Sequence, residues 1–76
     1  MEINKTRERV TLNIRDRRIE LGMTQLQLAT KVGASQAIIA NWESGRFTPY
    51  ARDLPALAKA LHYPHIDDLY PEELRP

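Results

Sequence analysis

The chain has only three glycines, Gly22, Gly33 and Gly45, spaced eleven and twelve residues apart. Each follows a stretch of helical pattern, where a left-handed residue is wanted just past a helix end. Helices bounded this closely must be short. The middle of the chain therefore has to fold as brief helices turned sharply on one another. With 76 residues there is room for one hydrophobic core, so residues 1–76 read as a single domain.

The first helical stretch is predicted from about Thr6 to Leu21. Val10, Ile14, Arg18 and Leu21 recur at intervals of four, four and three and make one amphipathic stripe. Arg18 lies inside that apolar stripe, so it needs an acidic partner to offset its desolvation. The second helix opens at Thr24, with Gln27 three residues on to complete a capping box, and carries Leu28, Ala29 and Val32 on one face. After only Gly33-Ala34, Ser35 is placed to cap a third helix that ends near Ser44. Ile39 and Trp42 form its inward face, leaving Gln36, Ala37, Ala40 and Asn41 outside.

Residues Arg46 to Arg52 contain Pro49 and little pattern, and read as a loop. Asp53 is expected to cap a fourth helix with Pro55 in its first turn and Leu54, Leu57, Ala58 and Leu61 as its core stripe. Pro64 breaks the chain. Ile66, Leu69 and Tyr70 then predict a last short helix before a tail, 71–76, that holds Pro71 and Pro76. The expected fold is all-α: a compact bundle of five helices.

Apolar residues make up 42% of the chain, enough to build a packed domain rather than a disordered segment. No cysteine is present, so disulfides, thiolate metal sites and thiol nucleophiles are excluded. The longest apolar runs, such as Ala37-Ile38-Ile39-Ala40, fall far short of the ~20 residues of a membrane span. The N-terminus lacks a signal-peptide core. These features predict a soluble, cytoplasmic protein. Residues 1–63 hold ten Lys or Arg against six Asp or Glu, while residues 64–76 hold one Arg against four acids. A basic body with an acidic end suits a polyanionic partner on one face, although ordinary solvated charge explains it equally well.

Two short helices joined by a tight glycine turn form the unit that sets its second helix in the DNA major groove. The capped N-terminus after Thr24 offers free N–H groups to a phosphate, and Gln25 adds a side-chain amide. Amides such as Gln36 and Asn41 match the N6 and N7 edge of adenine. Ala37 offers a methyl to thymine, and Ile38 does the same if the core leaves it out. Arg46 and Thr48 reach toward a neighbouring phosphate.

The pattern Ile14-Arg15, Arg18, Gly22, Thr24-Gln25, Leu28-Ala29, Gly33, Ser35, Ile39, Trp42-Glu43, Gly45, Pro49, Leu54, Leu57-Ala58, Leu61 resembles the Cro and phage-repressor family. This is the lambda-repressor-like, XRE-type group of helix-turn-helix proteins. The resemblance covers roughly residues 10 to 70. It implies five helices with the helix-turn-helix formed by helices 2 and 3, operator binding as a homodimer, and a largely buried ion pair between Arg18 and Glu43. It also implies that Gln25 contacts phosphate and that Ser35, Gln36, Ala37 and Asn41 face DNA. The sequence departs from the family pattern at Leu26, usually polar, at the bulky Ile38, and at His62, where glycine often ends the fourth helix.

The expected function is a sequence-specific transcriptional regulator, repressor or Cro-like, on a pseudo-palindromic operator. Double-stranded DNA and a second copy of the chain are the expected partners. The end of the fourth helix and the Ile66–Tyr70 segment are the expected dimer contacts, because apolar residues there exceed what a terminal helix needs. The alternative is an antitoxin or protein-interaction module, whose acidic end with Tyr63, Tyr70 and several prolines would hold a toxin or the transcription machinery. For Gln36 and Asn41 the plainer reading is a solvated helix face, and for Trp42 it is core packing, which is preferred. His62, His65, Asp67 and Asp68 match no common metal spacing, with Pro64 between the histidines. Ser35 and Ser44 lie far from any histidine base. Neither an enzymatic activity, nor a metal, nor a cofactor is expected.

Overall fold

The structure is a computed structural model that describes residues 11–75. Among these residues four α-helices form: α1 (Arg15–Glu20), α2 (Gln25–Val32), α3 (Gln36–Ser44) and α4 (Leu54–Ala60). Three short 3-10 turns complete the order, at Ala51–Asp53, Ile66–Leu69 and Glu72–Leu74. The expectation of five helices is thus corrected. The last predicted helix is a 3-10 turn, closed by Asp68 N–H to the His65 carbonyl at 3.1 Å and Tyr70 N–H to Asp67 at 3.1 Å. Pro71 explains why it stays short. It forces Tyr70 into an extended backbone (φ −88°, ψ 149°), which a continuing α-helix does not allow.

The first helix is shorter than its pattern predicts. Residues Thr6 to Val10, including one member of the predicted stripe, lie outside the described residues, as does Pro76. Within them, residues 11–14 are not helical. Leu12 and Ile14 are both buried. Side chains two apart point to nearly opposite sides of a helix but to one side of an extended chain, so the core selects the extended form. Asn13 holds this run in place. Its N–H donates to the Leu69 carbonyl at 2.6 Å and its side-chain amide donates to the Tyr70 carbonyl at 3.2 Å. The Tyr63 hydroxyl donates to the Asn13 carbonyl at 3.1 Å. Burial pushes that hydroxyl above the ordinary tyrosine range, which keeps it a donor.

Local chemistry fixes α2 and α3 as expected. Thr24 Oγ1 accepts from the Gln27 N–H at 3.0 Å and Gln27 Oε1 accepts from the Thr24 N–H at 2.8 Å, so the capping box is complete. Thr24→Ala is expected to cost about 1 kcal/mol in urea unfolding, because the Gln27 N–H loses its acceptor. Ser35 Oγ accepts from Ile38 N–H at 3.2 Å and starts α3 after a two-residue turn. Gly33 ends α2 at φ 76°, the left-handed value that makes so short a turn possible.

The fourth helix is capped differently from its expectation. Asp53 occupies the N-cap of α4 but makes no side-chain cap bond. Its backbone is already helical (φ −87°, ψ −16°) because the 3-10 turn leads into α4, whereas a capping side chain needs an extended backbone. At the other end His62 stands in the left-handed region at φ 58°. Arg17 steadies that end: its Nε donates to the Leu61 carbonyl at 2.8 Å and its Nη2 to the His62 carbonyl at 3.2 Å.

The core draws on α2, α3, α4, the extended run before α1 and the Ile66–Leu69 turn. Leu28 and Ala29 from α2, Ile39 and Trp42 from α3, and Leu57 and Ala58 from α4 pack with Leu12, Ile14, Leu61 and Leu69. Six of these are aliphatic side chains with essentially no exposure, and each contributes about 1.5–3 kcal/mol of burial. Leu54 is only partly buried at the edge of this cluster. No helix among the described residues is long and apolar enough to cross a membrane.

Candidate nucleic-acid interface

The N-terminus of α2, the outer side of α3 and the loop after it carry the residues singled out in the sequence. Thr24 is exposed at the start of α2, with half-buried Gln25 beside it. Ser35, Gln36 and Ala37 are exposed at the start of α3, and Asn41 is half-buried one turn later. Arg46 and Thr48 are exposed in the following loop. Ile38 is left out of the core and 42% exposed, and it lines a surface hollow with Val32, Trp42, Phe47 and Tyr50.

Beneath this face lies the Arg18–Glu43 pair. Arg18 Nε donates to Glu43 Oε2 at 2.6 Å and Nη2 donates to Oε1 at 3.1 Å, a two-pronged contact. The remaining prong, Nη1, donates to the Met23 carbonyl at 2.8 Å. The two side chains are only 10% and 4% exposed. Hydrogen bonding to Glu43 raises the Arg18 guanidinium above its ordinary value, against the lowering effect of burial. The pair thus ties α1 to α3 and sets the angle at which α3 stands out.

Polar contacts run on from the pair to the surface. Gln25 Nε2 donates to Glu43 Oε1 at 3.1 Å, and Gln36 Nε2 donates to Gln25 Oε1 at 3.4 Å. The sequence offers Gln25 as a phosphate contact and carries no sign of its link to Glu43. The two are eighteen positions apart and only the packed fold brings them together.

Other exposed groups were not legible as a surface. Phe47 and Tyr50 are 56% and 70% exposed in the loop that reads as patternless. Arg46 lies over the Phe47 ring at 5.8 Å and Arg52 over the Tyr50 ring at 5.0 Å, so each aromatic carries a cation. The signal available was an arginine within two positions of each aromatic, Arg46 before Phe47 and Arg52 after Tyr50. Leu26 is 59% exposed on α2. The expected dimer segment spends most of its apolar surface inside, since Leu69 is fully buried and Tyr70 half-buried, while Ile66 stays 37% exposed.

The helix-turn-helix family profile matches residues 14–67, which span α1 to the turn after α4. The chain belongs to the helix-turn-helix family. Within that family it is similar to a protein of Methanothermobacter thermautotrophicus described as an uncharacterized HTH-type transcriptional regulator. The two are 40% identical over 57 residues, covering 75% of this chain and 83% of that protein. Among solved structures it is similar to the P22 c2 repressor, crystallised in complex with synthetic operator 9T in the presence of Tl+. That match has a TM-score of 0.71 and 38% identity, and covers 75% of this chain and 85% of the repressor chain. The family and both relatives bear out the reading of the sequence as a member of the phage-repressor, XRE-type group.

Proposed function

We propose that the chain is a sequence-specific, DNA-binding transcriptional regulator of repressor or Cro type. Residues 1–76 act as one DNA-binding domain, with the helix-turn-helix at 24–45 formed by α2 and α3 and residues 71–76 as a tail. The observation that carries this reading is the amide-rich outer side of α3, presented over a buried ion pair, in a chain 38% identical to a repressor solved on operator DNA.

In this reading α3 lies in the major groove, with Gln36, Ala37 and Asn41 reading bases. Thr24, Gln25 and Ser35 sit at the helix starts near phosphates, and Arg46 and Thr48 hold the backbone beyond α3. A homodimer places two copies of α3 on half-sites ~10 bp apart in a pseudo-palindromic operator. Within the Ile66–Tyr70 segment, Ile66 is the exposed apolar residue available to that dimer. Such a protein works in the cytoplasm.

Selection from a random oligonucleotide pool tests the reading directly, since a regulator of this kind enriches paired half-sites. On the selected site, Gln36→Ala is expected to cost about 1–3 kcal/mol and to relax one base position per half-site. Arg46→Ala is expected to weaken all sequences alike and to lower the salt slope by about one. Folded variants that bind every sequence as the parent does would sink the assignment.

A further inference from the structure

We infer that the groove between the end of α1 and α2 takes the Glu72–Leu74 turn of a second copy of the chain. This contact needs no DNA, so it stands or falls apart from the operator-binding reading above.

The groove is apolar with a basic edge. Leu21, Met23 and Leu26 line it, and Thr30, Lys31 and His62 complete it. Leu26 is left more than half exposed there. Past Lys31 and His62 the surface dips again beside Lys59. Lys31 and Lys59 are exposed, and neither makes an ion pair or a side-chain hydrogen bond among the described residues. Apolar surface left in water favours a partner with an apolar side chain of its own. Two cations beside it select one that carries carboxylates next to that side chain.

The chain itself carries such a segment. Leu74 is more than half exposed, and the two residues before it, Glu72 and Glu73, are exposed carboxylates. Neither glutamate has an ion-pair partner among the described residues. The turn is already formed: Leu74 N–H donates to the Pro71 carbonyl at 2.9 Å, and Arg75 Nε donates to the Tyr70 carbonyl at 3.1 Å. A segment held in this way loses little freedom on docking. Residues 64–76 hold four acids against one Arg, so this end of one copy is attracted to the lysine edge of another. Every copy has both halves. Two copies therefore exchange turns about a two-fold axis and make the contact twice.

Sedimentation equilibrium of the free chain reads the contact. The parent is expected to form dimers whose dissociation constant rises with added salt, because the charges are exposed. Leu26→Ser and Leu74→Ser remove the apolar group on each side, and each is expected to weaken the dimer about tenfold. Both residues are exposed, and the helical circular dichroism signal checks that the fold is kept. Charge reversal then decides which surfaces meet. Lys31→Glu with Lys59→Glu makes the groove edge acidic, and Glu72→Lys with Glu73→Lys makes the turn basic. Each of these double variants alone sets like charges against each other and is expected to dissociate about tenfold more readily. An equimolar mixture of the two restores both attractive pairings and is expected to come within about threefold of the parent. A parent that stays monomeric even at about 1 mM overturns the inference and gives the groove to a different occupant. A dimer indifferent to both leucine changes, or a mixture no tighter than its separate components, overturns it as well. Failure of the chain to select an operator bears on the DNA-binding reading and leaves this contact standing.

Discussion

Glu43→Ala is expected to lower the unfolding free energy by about 3–5 kcal/mol, as read by urea titration of the helical circular dichroism signal. Arg18 and Glu43 are 10% and 4% exposed at the side chain, so removing the carboxylate leaves a guanidinium with little water to solvate it. Two of its three hydrogen-bonding prongs lose their acceptor, and only the bond to the Met23 carbonyl stays. For a chain of this length the whole stability is of the order of 4–11 kcal/mol, so the loss is a large share of it. A paired replacement, Arg18→Met with Glu43→Leu, separates the causes. Removing both charges avoids the stranded cation, and the double variant is expected to be more stable than Glu43→Ala. A loss below about 1 kcal/mol in Glu43→Ala would mean that the pair behaves as a solvated surface bridge.

The second large effect is expected where the chain has no regular helix. Leu69→Ala should cost about 2–4 kcal/mol by the same titration, as for other fully buried leucines. Leu69 has no exposure although it sits in a four-residue 3-10 turn near the end of the described chain. Its side chain fills the cluster shared by Leu12, Ile14, Leu57 and Leu61, and its carbonyl accepts the 2.6 Å bond from Asn13. Ile66, in the same turn and 37% exposed, serves as the control, with Ile66→Ala expected within about 1 kcal/mol of the parent. If both variants lose the same small amount, the C-terminal turn is an appendage and not part of the core.

These two cases mark how far the sequence can be read. The caps at Thr24 and Ser35 and the left-handed ends at Gly33 and Gly45 depend on residues within a few positions, so spacing alone finds them. The core faces of α2, α3 and α4 follow helical periodicity and were legible for the same reason. Arg18 announced its need for a carboxylate by standing in an apolar stripe, and the family resemblance pointed to Glu43. What was not legible depends on partners far along the chain. The short α1 and the extended run before it reflect contacts between residues 12–14 and the 69–70 segment. The 3-10 form of Ile66–Leu69 reflects Pro71 acting on a segment too short for an α-helix. The link from Gln25 to Glu43 crosses eighteen positions, and the outward Ile38 needed the register of α3 to be settled first.

Gly45 shows how two demands meet at one position. It ends α3 at φ 79°, and a Cβ built there would lie 2.7 Å from Thr11 Oγ1. An asparagine, which tolerates the left-handed backbone elsewhere, would satisfy the first demand and fail the second. The Thr11 hydroxyl would have to turn away, beside the run whose Leu12 and Ile14 enter the core. Position 45 therefore works as a gauge of seating. Any side chain added at that carbon competes with the Thr11 hydroxyl for the space where the end of α3 meets the N-terminal run.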